Sequence, residues 1–353
     1  MFLLAWLYGC IVSFRNWLFD IDVLHTTSFA HPIIGVGNLT VGGTGKTPHT
    51  ELLVRMMLEE GFSVATLSRG YKRKTHGFRL ATKDSTASDI GDEPLQIATR
   101  FPDITVAVDE NRVRGIRTLL QDAKPDVIIL DDAFQHRYVR PGKNILLIDY
   151  NRPPFSDRLL PSGRLRESFD GRKRADMVIV TKCPSSLSPI DYRVFEEQLR
   201  LMPFQKLFFT SMVYADLQPL FTDAPQLPLK KLRDYDRALL ITGIANPDRL
   251  HQDLIPLCQR ITLLSYPDHH AFTPSDVERI NTIFHDLPAD ERIIITTSKD
   301  AMRLRLVAQS LSEEVRQAIH VLPMQVRFLR DEQRTFQRII TDYVVQTKKE
   351  NNQ

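Results

Sequence analysis

Short apolar runs separated by amphipathic stretches dominate the chain from about residue 31 to residue 182. Ile33-Ile34-Gly35-Val36, Ser63-Val64-Ala65-Thr66-Leu67, Ile104-Thr105-Val106-Ala107-Val108, Val127-Ile128-Ile129-Leu130, residues 144–148 and Met177-Val178-Ile179-Val180 each read as a strand. Between them, residues 47–60, 92–100 and 110–122 carry apolar positions at helical spacing. Such alternation predicts a parallel sheet covered on both faces. A second alternation begins near residue 237, with strands at 238–242, 261–264 and 293–296. Its helices are 247–258 and one opened by Thr273-Pro274-Ser275-Asp276, where Thr273 or Ser275 can cap. Between the two lie extended segments and Pro219, Pro225 and Pro228, which read as a linker. Residues 331–347 read as a final amphipathic helix. The expected division is an apolar N-terminal helix at 1–30, a first α/β domain at 31–205, a β linker at 206–230 and a smaller α/β domain at 231–353.

The N-terminus departs from this alternation. Residues 1–12 carry no charge, Arg15 follows, and Trp17-Leu18-Phe19 closes the run. A spanning helix needs about 20 apolar residues, and a signal peptide needs a basic start and a cleavage site. Neither description fits. Trp6 and Trp17 suit the headgroup zone, so the segment reads as an interfacial anchor, with a buried first helix as the alternative.

At 353 residues the chain can bury a large core, and 25% charged residues are ordinary for a globular protein. A net charge of +3 does not point to nucleic acid. Residues 68–79 hold Arg69, Lys72, Arg73, Lys74 and Arg79 without an acid, and residues 151–174 are also rich in arginine. These stretches are either solvated loops or a surface for anionic material. Three widely spaced cysteines, Cys10, Cys183 and Cys258, form no metal pattern and argue against a disulfide framework.

The candidate chemistry starts at Gly42-Gly43-Thr44-Gly45-Lys46-Thr47, between the first strand and the first helix of the sheet. A glycine-rich turn in that context cradles phosphates with backbone N–H groups and the helix N-terminus. Residues Thr40, Val41, Gly42, Gly43, Thr44, Gly45, Lys46 and Thr47 are the expected nucleotide contacts, although Thr40 stands where the pattern has its first glycine. Lys46 would reach the β- and γ-phosphates, and Thr47 would bind Mg2+. The strand ending at Asp131-Asp132 supplies carboxylates for the same metal. Gly91-Asp92-Glu93-Pro94 opens a helix, where the two acids are either caps or, for Asp92, a base for an attacking hydroxyl. Asp268-His269-His270 ends a strand of the second domain, and structural, metal and catalytic roles are all open. Arg69, Arg112, Arg164 and Arg166 could stabilise developing phosphoryl charge.

Together these motifs resemble one family. Gly37-Asn38-Leu39-Thr40-Val41-Gly42-Gly43-Thr44-Gly45-Lys46-Thr47-Pro48 is similar to the signature of the tetraacyldisaccharide 4'-kinases, the lipid A 4'-kinases of Gram-negative bacteria. Ser68-Arg69-Gly70-Tyr71, Gly91-Asp92-Glu93-Pro94, Asp131-Asp132-Ala133-Phe134-Gln135-His136, Gly243-Ile244-Ala245-Asn246-Pro247, Asp268-His269-His270 and Ser298-Lys299-Asp300-Ala301 occur in that family's order. Ala133, often glycine, and Ser298, often glutamate, are the departures. The resemblance implies an α/β fold, with a P-loop NTPase-like parallel sheet domain (α/β/α sandwich) and a smaller α/β/α domain joined by a short β linker. It implies ATP and Mg2+, and transfer to the 4'-hydroxyl of tetraacyldisaccharide 1-phosphate to give lipid IVA. It further implies a glycolipid substrate and a membrane surface as partners, on the cytoplasmic face of the inner membrane, with no obligate protein partner. Asp92 would be the base, His269 its partner, and Thr47 with Asp131 and Asp132 the metal site. Arg69, Tyr71, Glu93, Arg112, Gln135, His136 and Arg164 are candidate substrate or phosphate contacts. A membrane-docked P-loop ATPase switch acting on a protein partner is the competing reading.

Overall fold

The computed structural model describes residues 2–244, 246–258, 260–268, 270–288 and 292–351. The chain divides into two compact units, Met1–Met212 with Val326–Gln353, and Val213–Gln325. The first unit begins with helix α1 (Phe2–Asp20), strand β1 (Ile33–Asn38), α2 (Lys46–Glu59), β2 (Val64–Ser68), β3 (Arg79–Leu80), α3 (Ala87–Ile90) and α4 (Asp92–Arg100). It continues with β4 (Thr105–Val108), α5 (Arg112–Asp122), β5 (Val127–Asp131), β6 (Lys143–Asp149), β7 (Met177–Thr181), α6 (Pro189–Leu199) and β8 (Lys206–Tyr214). The second unit holds β9 (Gln218–Pro219), β10 (Arg237–Thr242), α7 (Pro247–Leu254), β11 (Arg260–Ser265), α8 (Pro274–Asp286), β12 (Arg292–Thr297), α9 (Ser298–Leu306), α10 (Glu313–Ala318) and β13 (Ile319–Leu322). The chain returns along β14 (Met324–Phe328) to α11 (Gln333–Asn351).

Among the described residues the strands form two sheets. The larger runs β14-β8-β7-β6-β1-β5-β2-β4-β3, and the smaller β11-β10-β12-β13-β9. In the larger sheet β1 pairs in parallel with β5 and β6, and β5 in turn with β2. The chain therefore leaves β1 through α2 and enters the sheet again beyond β5. This order opens a crevice at the carboxyl ends of β1 and its neighbours, where α/β folds place ligands. β1 is buried along its whole length, which explains why its sequence does not alternate. Ile34 and Val36 face a core layer formed with α2 and α11. Ile33 faces the opposite layer with Ile128, Leu130 and the α5 residues Ile116 and Leu119. In the smaller sheet β10 is flanked in parallel by β11 and β12 and also carries a core on each face.

Helix α1 is amphipathic in a lopsided way. Ala5, Gly9 and Phe19 are buried, while Leu3, Leu4, Trp6, Leu7, Ile11, Phe14 and Trp17 lie exposed along the opposite face. No described helix is long and apolar enough to cross a membrane.

Two boundaries differ from the sequence expectation. Residues 206–214, expected at the start of the β linker, form β8, which pairs in parallel with β7 inside the larger sheet. The last stretch of 231–353 does not belong to the second unit. α11 places Phe336, Ile340 and Val344 in the core under β1, and Phe336 meets Phe208 edge to face at 5.3 Å. A three-residue apolar stripe shows that a helix is amphipathic, but not which sheet it covers. α6, closed at its start by a Ser188–Asp191 capping box, had no sequence forecast.

Phe336 is 1% exposed, so Phe336→Ala removes a ring that its aromatic neighbours Phe208 and Phe328 cannot fully replace. The expected loss is about 3–5 kcal/mol of unfolding free energy. Urea denaturation followed by near-ultraviolet signal measures it. An unchanged midpoint would contradict the placement of α11 in the core of the first unit.

Candidate active site

The turn after β1 is shaped by residues that allow close approach. A side chain on Gly37 would meet Phe134 Cβ at 2.7 Å and Phe134 N at 2.8 Å, so glycine lets β1 lie against the segment after β5. Gly45 adopts φ +88°, the left-handed conformation that starts α2. Lys46 and Thr47 then open the helix, with its unpaired N–H groups facing the crevice.

Long-range bonds brace this loop. Buried Asn38 donates to the Thr44 hydroxyl at 2.7 Å. Thr181, at the end of β7, donates to Thr44 C=O at 2.8 Å. The next residue, Lys182, reaches Gly43 C=O and pairs with Asp149 at 2.7 Å. His49 is fully buried on α2, and burial pushes it down to about 4, so it stays neutral. Its Nδ1 lies 2.7 Å from Gly45 C=O, which can only accept, so Nδ1 carries the proton. Nε2 then accepts from the Thr210 hydroxyl at 3.1 Å. On the other side, Val41 N–H donates to Arg164 C=O at 2.8 Å, and Thr40 bridges Leu165. Thr40 therefore sits in an extended pairing that needs no glycine.

The end of β5 comes to the same place. Thr50, one turn along α2 from Thr47 and on its face, donates to Asp131 at 3.1 Å. Asp131 is buried, which raises it well above the usual carboxylate range, and the nearby Glu93 and Asp132 charges add to this. Asp132 behaves oppositely. Burial works to raise it, but Arg166, bound at 2.9 and 3.2 Å, and Lys46, at 3.7 Å, hold it below its ordinary value. Crowded carboxylates of this kind suit a divalent cation. Among the described residues no three His, Cys, Asp or Glu side chains could hold a metal by themselves. Mg2+ usually takes one or two carboxylates and completes its shell with phosphate oxygens and water. Thr47, Asp131 and Asp132 therefore fit a magnesium that arrives with a nucleotide.

Two further motifs gather beside β5. Gly91 (φ +95°) caps α4, and a side chain there would meet Tyr71 C=O at 3.0 Å. Ser68-Arg69-Gly70-Tyr71 is thus packed against the turn that delivers Asp92 and Glu93. α4 is also tied to α2, because buried Glu51 accepts from Gln96 at 2.7 Å and pairs with Arg100. Arg112 is buried at the start of α5, its Nη2 3.5 Å from Asp131 C=O and its Nε without a partner. Burial pushes it down to about 10, still charged at neutral pH.

The structure therefore brings Lys46, Thr47, Asp131, Asp132, Glu93, Arg112 and Gln135 into one region of the first unit. Gln135 donates to Asn38 C=O at 2.7 Å and to Glu167 at 3.0 Å. Tyr71 is 72% exposed. Arg164 is exposed, and its backbone supports the loop at Val41. His269 lies outside the described residues. His270 binds Asp276 at 2.8 Å and stacks on Tyr266 at 4.6 Å, a structural arrangement within the second unit. Sequence reasoning missed His49, Glu51, Glu167 and Lys182. Lys182 had a signal, since a lysine closes the strand two places from β1, but its partner lies 139 residues away.

Residues 1–344 match the family described as tetraacyldisaccharide-1-P 4'-kinase. The chain is 50% identical over 344 residues to the tetraacyldisaccharide 4'-kinase of Parabacteroides distasonis, covering 96% of this chain and 93% of the relative. It is 49% identical over 352 residues to that of Phocaeicola vulgatus, covering 99% and 95%. Among solved structures it resembles the ATP complex of LpxK from Aquifex aeolicus, at 27% identity and a TM-score of 0.75, over 97% of this chain and 98% of that one. The chain belongs to the tetraacyldisaccharide 4'-kinase family.

Proposed function

We propose that this chain transfers the γ-phosphoryl group of ATP to the 4'-hydroxyl of tetraacyldisaccharide 1-phosphate, giving lipid IVA, while docked on the cytoplasmic face of the inner membrane. The observation that carries the reading is the braced loop before α2, with Lys46 3.7 Å from Asp132 and Glu93 of α4 beside the same strand end. The membership of the family supports it over an ATPase switch, since the relatives are named as kinases of an acylated disaccharide.

In this reading the backbone of residues 40–45 and the start of α2 hold the phosphates. Lys46 neutralises charge on the β- and γ-phosphates. Magnesium held by Thr47 and the β5 aspartates would supply further neutralisation across the phosphate oxygens. Asp92 takes the proton of the 4'-hydroxyl as its oxygen bonds to the γ-phosphorus, and the bond to the β,γ-bridging oxygen breaks to release ADP. His269 is proposed as the partner of Asp92. Arg112, charged and with a buried uncommitted Nε, contacts phosphate. Arg69, Tyr71, Glu93, Gln135 and His136 line the acceptor side, and Arg164 supports the loop. The exposed stripe from Leu3 to Trp17 fits the headgroup layer, which keeps the enzyme where its lipid acceptor resides.

Three outcomes are expected. Lys46→Ala abolishes transfer of labelled phosphate from ATP to the acylated acceptor. A variant that retained wild-type turnover would remove the loop from the chemistry. Asp92→Asn lowers kcat on the order of 10²- to 10⁴-fold while ATP still binds, as general-base loss should. An unchanged kcat would assign Asp92 to capping alone. Leu7→Glu with Phe14→Glu weakens co-sedimentation with phospholipid vesicles and leaves ATP binding intact. Undiminished co-sedimentation would dissociate α1 from membrane docking.

A further inference from the structure

Three sequence motifs meet in the second unit, and among their residues only His269 has a task in the mechanism above. They begin at Gly243, Asp268 and Ser298, each just beyond a strand. β10 pairs in parallel with both β11 and β12, so the three stand side by side at the carboxyl ends of adjacent strands. Asp300 joins them. It is fully buried, and a carboxylate in such a place persists only when donors take up its oxygens.

Asp300 lies in the first turn of α9, and its N–H donates to Thr297 Oγ1 at 3.2 Å, the ordinary arrangement of a helix cap. Its carboxylate does something a cap does not require. At α8, Asp276 Oδ2 accepts the N–H and the hydroxyl of Thr273, its own cap residue, at 2.8 and 2.7 Å. Asp300 Oδ2 accepts the hydroxyl of its cap residue, Thr297, at 2.7 Å. The N–H it accepts is instead that of Gly243, at 3.0 Å and 57 residues away. The Thr242 hydroxyl donates to the same oxygen at 3.3 Å, and Arg303 donates to Oδ1 at 3.4 Å as the countercharge.

Gly243 passes this constraint to the turn after β11. A side chain there would meet Pro267 C=O at 2.9 Å, Asp300 Oδ1 at 3.2 Å and His270 Cβ at 3.6 Å. The turn therefore rests on the backbone that Asp300 holds. Tyr266 N–H donates to Thr242 C=O at 2.8 Å where the chain enters the turn, and His270 N–H donates to Pro267 C=O at 3.1 Å where it leaves. From α8, Asp276 fixes the His270 ring at 2.8 Å. Pro267 and His270 are thus anchored from two directions.

We infer that Asp300 is a positioning residue for the transfer reaction: by holding Gly243 it fixes the turn in which His269 occurs. The inference rests on the kinase reading and on His269 as the partner of Asp92.

Asp300→Asn keeps the side chain's size but turns one accepting oxygen into a donor. It should lower kcat for transfer to tetraacyldisaccharide 1-phosphate roughly 10- to 100-fold, as a displacement of about 1 Å predicts, with KM for ATP unchanged. Gly243→Ala presses on Pro267 C=O while leaving the donors to Asp300 in place, and should act in the same direction. The decisive measurement is a double-mutant cycle with His269→Ala. If Asp300 acts through the turn, adding Asp300→Asn or Gly243→Ala to His269→Ala lowers kcat little further. Losses that multiply independently would overturn the inference and leave Asp300 a structural residue of α9. An unchanged kcat in both single variants would overturn it as well. A thermal unfolding scan reports whether Asp300→Asn folds, and Gly243→Ala carries the cycle if it does not. A His269→Ala enzyme with wild-type kcat would remove the partner of Asp92 and this inference with it, while leaving the kinase reading intact. A wild type that phosphorylates no lipid acceptor would overturn both.

Discussion

The structure is organised around the cost of ending a fully buried strand in two adjacent aspartates. β5 runs through the centre of the larger sheet, flanked by β1 and β2, and delivers Asp131 into the interior and Asp132 to its edge, where its side chain is 37% exposed. An unpaired carboxylate at Asp131 would be destabilising by on the order of several kcal/mol. The chain treats the two differently. Asp132 turns out in the left-handed conformation at φ 47° and takes Arg166 and Lys46. Asp131 stays in, with one hydroxyl donor and raised proton affinity. A divalent cation would relieve Asp131 more than any side chain present. The fold therefore sets two cations, Lys46 and Arg166, against Asp132 and leaves Asp131 with a hydroxyl alone.

The same logic explains the bracing of the glycine loop. A backbone cradle works only if its N–H groups point outward without being claimed by its own carbonyls. Lys182, Thr181 and His49 each occupy a carbonyl of residues 43–45 from behind. His49 donates as a neutral ring, because burial pushes it down to about 4 against the opposing effect of the Gly45 hydrogen bond. Arg164 and Leu165 pair with Thr40 and Val41 at the loop's start. This is why threonine is accepted where the motif has glycine: that position is extended, and the tight turns come later, at Gly42 and Gly45.

Much of this was legible in the amino-acid pattern. The strands of the larger sheet from β1 to β7 announce themselves as apolar runs, apart from the two-residue edge strand β3, because parallel strands are buried on both faces. The phosphate loop, the β5 aspartates and the Gly91 turn were found because each joins a strand or helix end to polar residues close in sequence. What escaped depends on contacts between distant segments. Nothing near α11 says that Phe336 belongs beside Phe208 rather than in the second unit. Lys182, Glu51 and Glu167 look like ordinary surface charges until Gly43, Arg100 and Arg174 are brought to them. Arg15 was read only as a charge within the N-terminal anchor, since its partner lies 120 residues away.

That last contact changes the meaning of the N-terminal helix. α1 is not fastened to the body by apolar packing alone. Tyr8 donates to Arg166 C=O at 2.8 Å, Asn16 to Glu167 at 3.2 Å, and Arg137 to Asn16 C=O at 2.8 Å and to Asp20 at 2.6 Å. Arg166 is the residue that grips Asp132, and Arg137 and Gln135 follow directly from it in the β5 loop. Directional bonds of this kind fix orientation more tightly than apolar contact, because each fails over a few tenths of an ångström. Helix α1 and the loop after β5 are therefore one mechanical piece. Under the proposed function, a lipid acceptor lying along the outer face of α1 would be registered, through these bonds, against Asp131 and Asp132.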